Sequence, residues 1–338
     1  MKKILIIRLS AIGDVVFASP LIRSLRLTYP ESRVSWLVEP VAASLLKHNV
    51  DLDEVIVLPR AQWKQLWRER HFLQLYREIR DFARKLRIKN FDMALDLQGL
   101  LKSGIWAYLS GAKTRIGLRS KEGSKYLMTQ VVSHAGDNPR IGSEYLAMAE
   151  ELGLVVGDFS MDIVLSEEED AYAADFRALG EYAVICPFTT RPQKHWVEKR
   201  WPGLAQEIMD QRGMPVIMLG GPGDAETASR IHSANDKIIN LTGKSSLTQT
   251  AAVIKHSSLL VGVDTGLTHM GIAFNVPTLV LFGSTFPYSD TTHENARVLY
   301  HKMDCSPCRR NPTCNSDFTC MKRLTIEEIM TNVHKVMS

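Results

Sequence analysis

No stretch of this chain reaches the ~18 consecutive apolar residues that a membrane-spanning helix needs, which argues against a helical membrane protein. The nearest imitation is the opening MKKILIIRLSAIGDVV, where two lysines precede an apolar run as in a secretory signal. Arg8 and Asp14 interrupt that run, and it reads as a first buried strand. Cysteine is scarce: there are five, four of them inside residues 305–320. That distribution excludes a disulfide framework spread through the chain and fits a reducing, cytoplasmic compartment. Charge of one sign is also limited, since 41 Lys and Arg against 37 Asp and Glu leave a net +4. Nucleic-acid coating is thereby disfavoured, while anionic substrates remain compatible. Glycine is sparse after the first strand, where Ser10-Ala11-Ile12-Gly13-Asp14 holds only one. A dinucleotide site of the G-x-G-x-x-G type fails there. Solenoid repeats and low-complexity tracts are absent as well.

What is present is an alternation of short β-branched runs with longer amphipathic ones. Strands are expected at Ile4–Leu9, Val34–Val38, Val55–Leu58, Asp92–Leu97 and Arg115–Gly117, with helices at Asp14–Leu27, Trp63–Leu86 and Leu100–Leu109 between them. The pattern restarts with strands at Tyr182–Cys186, Pro215–Leu219, Lys237–Leu241, Leu259–Val263 and Thr278–Phe282. Helices near Gly203–Gln211, Ala225–Ser233, Leu247–Lys255 and Thr268–Phe274 separate these. Strand–helix–strand is the signature of a parallel sheet covered on both faces. Ser166-Glu167-Glu168-Glu169 forms a capping box that opens a helix between the halves. The expected organisation is therefore two Rossmann-like domains, 1–165 and 166–322. A last helix over 323–338, with no strand to follow it, returns to the first domain. In doubly wound sheets ligands bind beyond the carboxyl ends of the strands, so residues just after strands are the candidates.

Asp14 is the first. Read locally it caps a helix or complements its dipole, worth about 0.3–1 kcal/mol; read functionally it is a base. In the second half, Cys186-Pro187-Phe188-Thr189-Thr190-Arg191-Pro192-Gln193-Lys194-His195-Trp196 follows a strand with hydroxyls, backbone amides and the compact charge of Lys194. A diphosphate needs those groups, although a polar loop with a solvated lysine would look the same. Leu219-Gly220-Gly221-Pro222-Gly223-Asp224-Ala225-Glu226 ends another strand with a carboxylate suited to a ribose diol. Thr242 and Gly243 follow a third strand and could offer backbone groups to a base edge. Val263-Asp264-Thr265-Gly266-Leu267-Thr268-His269 places free amides at a helix N-terminus, where a phosphate is favoured. Asp264 itself would accept from sugar hydroxyls.

Four segments carry a family resemblance: Ser-x-x-Gly-Asp at 10–14, Asp96-Leu97-Gln98-Gly99-Leu100-Leu101-Lys102-Ser103, Thr-Thr-Arg-x-x-Lys-His-Trp at 189–196, and Asp-Thr-Gly-Leu-Thr-His at 264–269. Together, in order and at fitting spacing, they resemble the ADP-heptose:lipopolysaccharide heptosyltransferases, and heptosyltransferase I more than II. The resemblance implies an α/β GT-B fold, with two Rossmann-like domains facing a central cleft. It implies an ADP-heptose donor and direct displacement with inversion. The first domain would bind the acceptor, the second ADP-heptose. Asp14 resembles the family's general base, Thr189, Thr190 and Lys194 its phosphate ligands, Glu226 its ribose contact, and Asp264, Thr265, Gly266 and His269 its contacts to donor sugar and phosphate. No cofactor is implied for catalysis.

An acidic Kdo-lipid A acceptor needs cations. Residues 60–89 carry ten Lys and Arg against three acids, with Trp63 and Trp67 one turn apart. A solvated helix face is one reading; a clamp for Kdo carboxylates and lipid A phosphates, with peripheral contact to the inner membrane surface, is the other. Arg60, Lys64, Arg119 and Lys121 are the acceptor candidates. Separately, Cys305, Cys308, Cys314 and Cys320 have spacing compatible with a tetrahedral structural zinc or iron, or are four reduced thiols in a loop. Competing functions are heptosyltransferase II, a GT-B sugar-nucleotide epimerase, and a basic adaptor for anionic lipid.

Overall fold

The computed structural model describes residues 1–133, 138–291, 294–308 and 310–338. The chain divides into two compact units, Met1–Asn138 with Gly142–Val164, and Pro139–Ile141 with Leu165–Ser338.

The first unit is built on strands β1 (Lys3–Ile7), β2 (Arg33–Val38), β3 (Glu54–Val57), β4 (Met93–Asp96), β5 (Thr114–Leu118) and β6 (Gln130–Val132). All pair in parallel, in the order β3-β2-β1-β4-β5-β6. Side chains of β1 alternate between the faces. Ile4 and Ile6 join Val34, Trp36, Val38 and Leu95 on one, while Leu5 and Ile7 join Leu37 and Ala94 on the other. Both faces are dry because helices cover both, which is why the strands read as continuous apolar runs.

The second unit repeats the plan with β7 (Ala183–Cys186), β8 (Val216–Met218), β9 (Ile239–Asn240), β10 (Leu259–Val263), β11 (Thr278–Phe282) and β12 (Ala296–Tyr300), all parallel, in the order β12-β11-β10-β7-β8-β9. Each sheet therefore reverses its strand order once, between β1 and β4 in the first unit and between β7 and β10 in the second. Such a reversal opens a crevice at the carboxyl ends of the two strands.

Several expectations are corrected. Each sheet has a sixth, edge strand, β6 and β12, that the sequence pattern did not mark. β6 is three residues long and β12 shows only partial burial, so neither gives an apolar run. The helix expected over 14–27 is two, Ile12–Ala18 and Pro20–Thr28, because Pro20 lacks an N–H and begins a helix. That expected over 63–86 is also two, Arg60–Arg68 and Phe72–Ile88, parted by Arg70 at φ +62°. The final helix, Ile326–Val336, does not return to the first unit. Its apolar stripe of Ile329, Met330, Val333 and Val336 is part of the second unit's core, with Trp201, Leu204 and Ile208. An amphipathic helix buries its stripe against the nearest uncovered apolar surface. Among the described residues no helix is long and apolar enough to cross a membrane.

Candidate active site

The crevice between β1 and β4 is organised by charge. Arg8, the residue that interrupts the first apolar run, is almost wholly buried. One guanidinium nitrogen donates to the Leu97 carbonyl beyond β4 at 2.8 Å, and another lies 2.5 Å from Asp14 Oδ2. The same carboxylate oxygen accepts the Ala11 N–H at 3.1 Å, so Asp14 also performs the helix-terminus duty that its position suggested. Burial opposes the Arg8 charge, but the Tyr145 hydroxyl, Asp14 and Glu144 more than offset it and raise its pKa. Tyr145 lies 5.9 Å from the guanidinium and is fully buried. Arg8 and Tyr145 were not expected here from sequence; a lone cation inside a strand-like apolar run was the available signal for Arg8.

The Asp-x-Gln-Gly segment serves the same crevice. Asp96 is completely buried, and its Oδ1 accepts the N–H groups of Gln98 and Gly99, each at 3.1 Å, folding the turn after β4. Burial raises the Asp96 pKa. Gln98 Oε1 accepts the Leu9 N–H at 3.1 Å and ties that turn to the loop after β1. Gly99 has φ +62°, and a Cβ there would sit 2.0 Å from the Leu118 carbonyl oxygen, so only glycine fits. These motif residues shape the loops around Asp14.

The basic acceptor candidates also follow strands of this sheet. Arg60, just beyond β3, pairs with Glu39 at 2.7 Å. Arg119, after β5, lies 3.3 Å from Glu144, and the Lys121 N–H donates to the Gly99 carbonyl at 2.6 Å. Lys64 is exposed on the helix Arg60–Arg68. Lys102 joins them: burial, and then the nearby Arg60 charge, push its pKa below the ordinary lysine value. Lys102 stands within the motif at 96–103, whose spacing alone gave it no site role.

In the second unit the β7/β10 crevice holds a denser network. Lys194, after β7, places its Nζ 2.5 Å from Asp264 Oδ2, after β10. His269 Nε2 lies 3.1 Å from Asp264 Oδ1, Thr285 donates to Oδ2, and Tyr288 Oη lies 3.0 Å from His269 Nδ1. Burial would raise the Asp264 pKa, but His269 and Lys194 prevail and hold it far below the usual carboxylate range. Thr265 and Gly266 open the helix Gly266–Ala273 directly after Asp264. Gly262 is required beneath it, since a Cβ there would meet Thr268 Oγ1 at 2.2 Å. Thr189 and Thr190 lie on the β7 loop, where the His195 ring donates to the Thr189 carbonyl at 2.8 Å. Thr285 and Tyr288 had no sequence signal. They follow β11, on the far side of β10 from β7.

The remaining candidates stand apart from that network. Glu226 is 92% exposed and pairs with Arg230 one helical turn on, at 2.9 Å. Thr242 is buried after β9, and Gly243 turns the chain at φ +71°. The four clustered cysteines are free thiols. Burial, with the neighbouring cysteines, raises the pKa of Cys308 and Cys320. Among the described residues no three His, Cys, Asp or Glu side chains are arranged to hold a metal ion.

The family model for glycosyltransferase family 9 (heptosyltransferase) matches residues 79–318. Lipopolysaccharide heptosyltransferase 1 of Pseudomonas aeruginosa is 30% identical over 329 residues, covering 92% of this chain and 87% of its own. Lipopolysaccharide heptosyltransferase 2 of Escherichia coli is 26% identical over 323 residues, covering 89% and 90%. Among solved structures, E. coli heptosyltransferase WaaC with ADP-2-deoxy-2-fluoro heptose superimposes with a TM-score of 0.75 at 23% identity, over 98% of this chain and 99% of that one.

Proposed function

The chain belongs to glycosyltransferase family 9, the heptosyltransferases of GT-B fold, and we propose that it transfers heptose from ADP-heptose to a Kdo residue of the lipopolysaccharide inner core, inverting the anomeric carbon. The observation that carries this reading is the Lys194–Asp264–His269 network at the β7/β10 reversal, where a sheet of this kind receives its ligand.

ADP leaves with growing negative charge. Lys194 and the N-terminus of the helix Gly266–Ala273 supply a cation and free backbone donors to that charge, and the hydroxyls of Thr189 and Thr190 on the β7 loop add further donors. Asp264 already accepts from three protein groups, and a carboxylate offers about four lone-pair sites. Its main role is therefore to orient Lys194 and His269, with one site left for a sugar hydroxyl. In the first unit Asp14 takes the proton from the attacking Kdo hydroxyl, a step worth ~10²–10⁴-fold. Arg8 holds that carboxylate in place. Arg60, Lys64, Lys102, Arg119 and Lys121 recognise the acidic acceptor, which the enzyme meets at the cytoplasmic face of the inner membrane.

The motif forms at 96–103 and 189–196 favour the first heptose addition. The 26% identity to a heptosyltransferase 2 supports the second addition as the other reading. Incubation with ADP-heptose and either Kdo-lipid A or its heptosylated product tests both. Transfer to Kdo-lipid A supports the proposal, transfer only to the heptosylated acceptor supports the second reading, and isomerised donor without transfer overturns both.

A further inference from the structure

We propose that the elbow joining the helices Arg60–Arg68 and Phe72–Ile88 is a docking surface for an anionic lipid bilayer. Four large apolar side chains project from it into solvent: Trp67 is 64% exposed, Phe72 51%, Leu73 64% and Tyr76 62%. They are not misplaced core residues. The core side of the same helices is already filled by Trp63, Leu66, Leu75 and Leu86, with Trp63 stacked on Trp106 at 5.5 Å. Trp67 and Phe72 instead meet each other edge to face across the elbow at 5.1 Å, forming one continuous aromatic tip. Contiguous exposed apolar surface of this kind marks an interaction site.

Charge selects the occupant. Residues 60–89 hold ten Lys and Arg against three acids, in a chain whose total is only +4, so the rest of the molecule is net negative. The three acids are engaged locally: Glu69 with Gln65, Glu78 with Gln74, and Asp81 with Arg80 at 3.2 Å. A second copy docking through the same face would bring like charges together. A bilayer bearing anionic headgroups would not. Aromatic rings settle at the headgroup level while the surrounding cations meet the lipid phosphates, the combination that holds peripheral helices on membranes. The inference deepens the proposed function, since a lipid-anchored acceptor must be met at a bilayer. Its test uses neither donor nor acceptor, so the two can fail separately.

The measurement is co-sedimentation of the full chain with vesicles of phosphatidylcholine alone or mixed with phosphatidylglycerol. The wild type is expected to bind the anionic vesicles and to be released as salt rises. A Trp67→Ser, Phe72→Ser, Leu73→Ser variant should lose about tenfold or more in partitioning. An Arg77→Gln, Arg80→Gln, Arg84→Gln variant should lose the preference for phosphatidylglycerol. Both sets are exposed, and unchanged melting temperatures would show that the fold is intact. Three results would overturn the proposal. The wild type could ignore anionic vesicles. The serine variant could bind them as well as wild type. Ultracentrifugation without lipid could reveal self-association that the serine variant abolishes, making the patch a protein interface.

Discussion

Lys194 Nζ lies 2.5 Å from Asp264 Oδ2, joining the loop after β7 to the loop after β10 at the point where the second sheet reverses its strand order. The pair makes Asp264 an organiser of the cation that the departing ADP requires. Asp264→Asn is therefore expected to weaken ADP and ADP-heptose by similar factors, because both depend on Lys194. Calorimetric titration of the two ligands checks this; a loss confined to ADP-heptose would mean that Asp264 acts on the sugar alone.

The same pair has a pH signature. The folded Asp264 pKa lies below the unfolded value of about 3.9. Its stabilisation is therefore complete above that pH and is lost as pH falls toward the folded value. The difference in urea midpoint between wild type and Asp264→Asn should narrow below about pH 4. A constant difference down to pH 3 would contradict the sign.

Asp14 and Arg8 separate chemistry from positioning. Asp14→Asn should reduce transfer roughly a hundredfold or more while ADP affinity stays nearly constant. Arg8→Met should lower turnover by roughly tenfold, with partial recovery in Arg8→Lys, since a cation is kept but its second hydrogen bond is not. Near-normal turnover of Asp14→Asn would leave Asp14 only structural duties, its pairing with Arg8 and its hydrogen bond to the Ala11 N–H.

Tyr288→Phe removes the hydroxyl that meets His269 Nδ1 at 3.0 Å and keeps the ring that packs on Phe282. One hydrogen bond is worth about 1 kcal/mol, so stability should fall by about that much and turnover by up to about fivefold. No change in steady-state rate would remove Tyr288 from the site.

Transfer should survive treatment with a chelator, since Lys194 and a helix N-terminus take the place of a metal in the proposed mechanism. Loss of activity restored by magnesium would contradict that. Any zinc or iron found by elemental analysis should disappear in a Cys305→Ser, Cys308→Ser double variant, with transfer retained.

On the acceptor side, an Arg60→Ala, Lys64→Ala, Arg119→Ala variant should raise KM for Kdo-lipid A and leave that for ADP-heptose almost unchanged. Added salt should reproduce the effect in the wild type, because these charges are exposed.

The sequence by itself determined the layered fold and the positions that follow strands. Short β-branched apolar runs alternating with amphipathic ones favour strands buried on both faces, and the segments at 10–14, 189–196 and 264–269 sit where those strands end. It also identified the family, because four motifs in order constrain far more than any one. Which side chains meet was decided by tertiary structure alone. Arg8 finds the Leu97 carbonyl, and Gln98 finds the β1 loop, because β4 inserts beside β1 across intervening chain. Lys194 finds Asp264 because β10 pairs with β7, and Tyr288 reaches His269 because β11 lies beside β10. The last helix joined the second core for the same kind of reason: its apolar stripe is legible from spacing, but the surface that receives it is not. Local periodicity encodes what each residue buries. Strand order, set by long-range pairing, encodes what it touches.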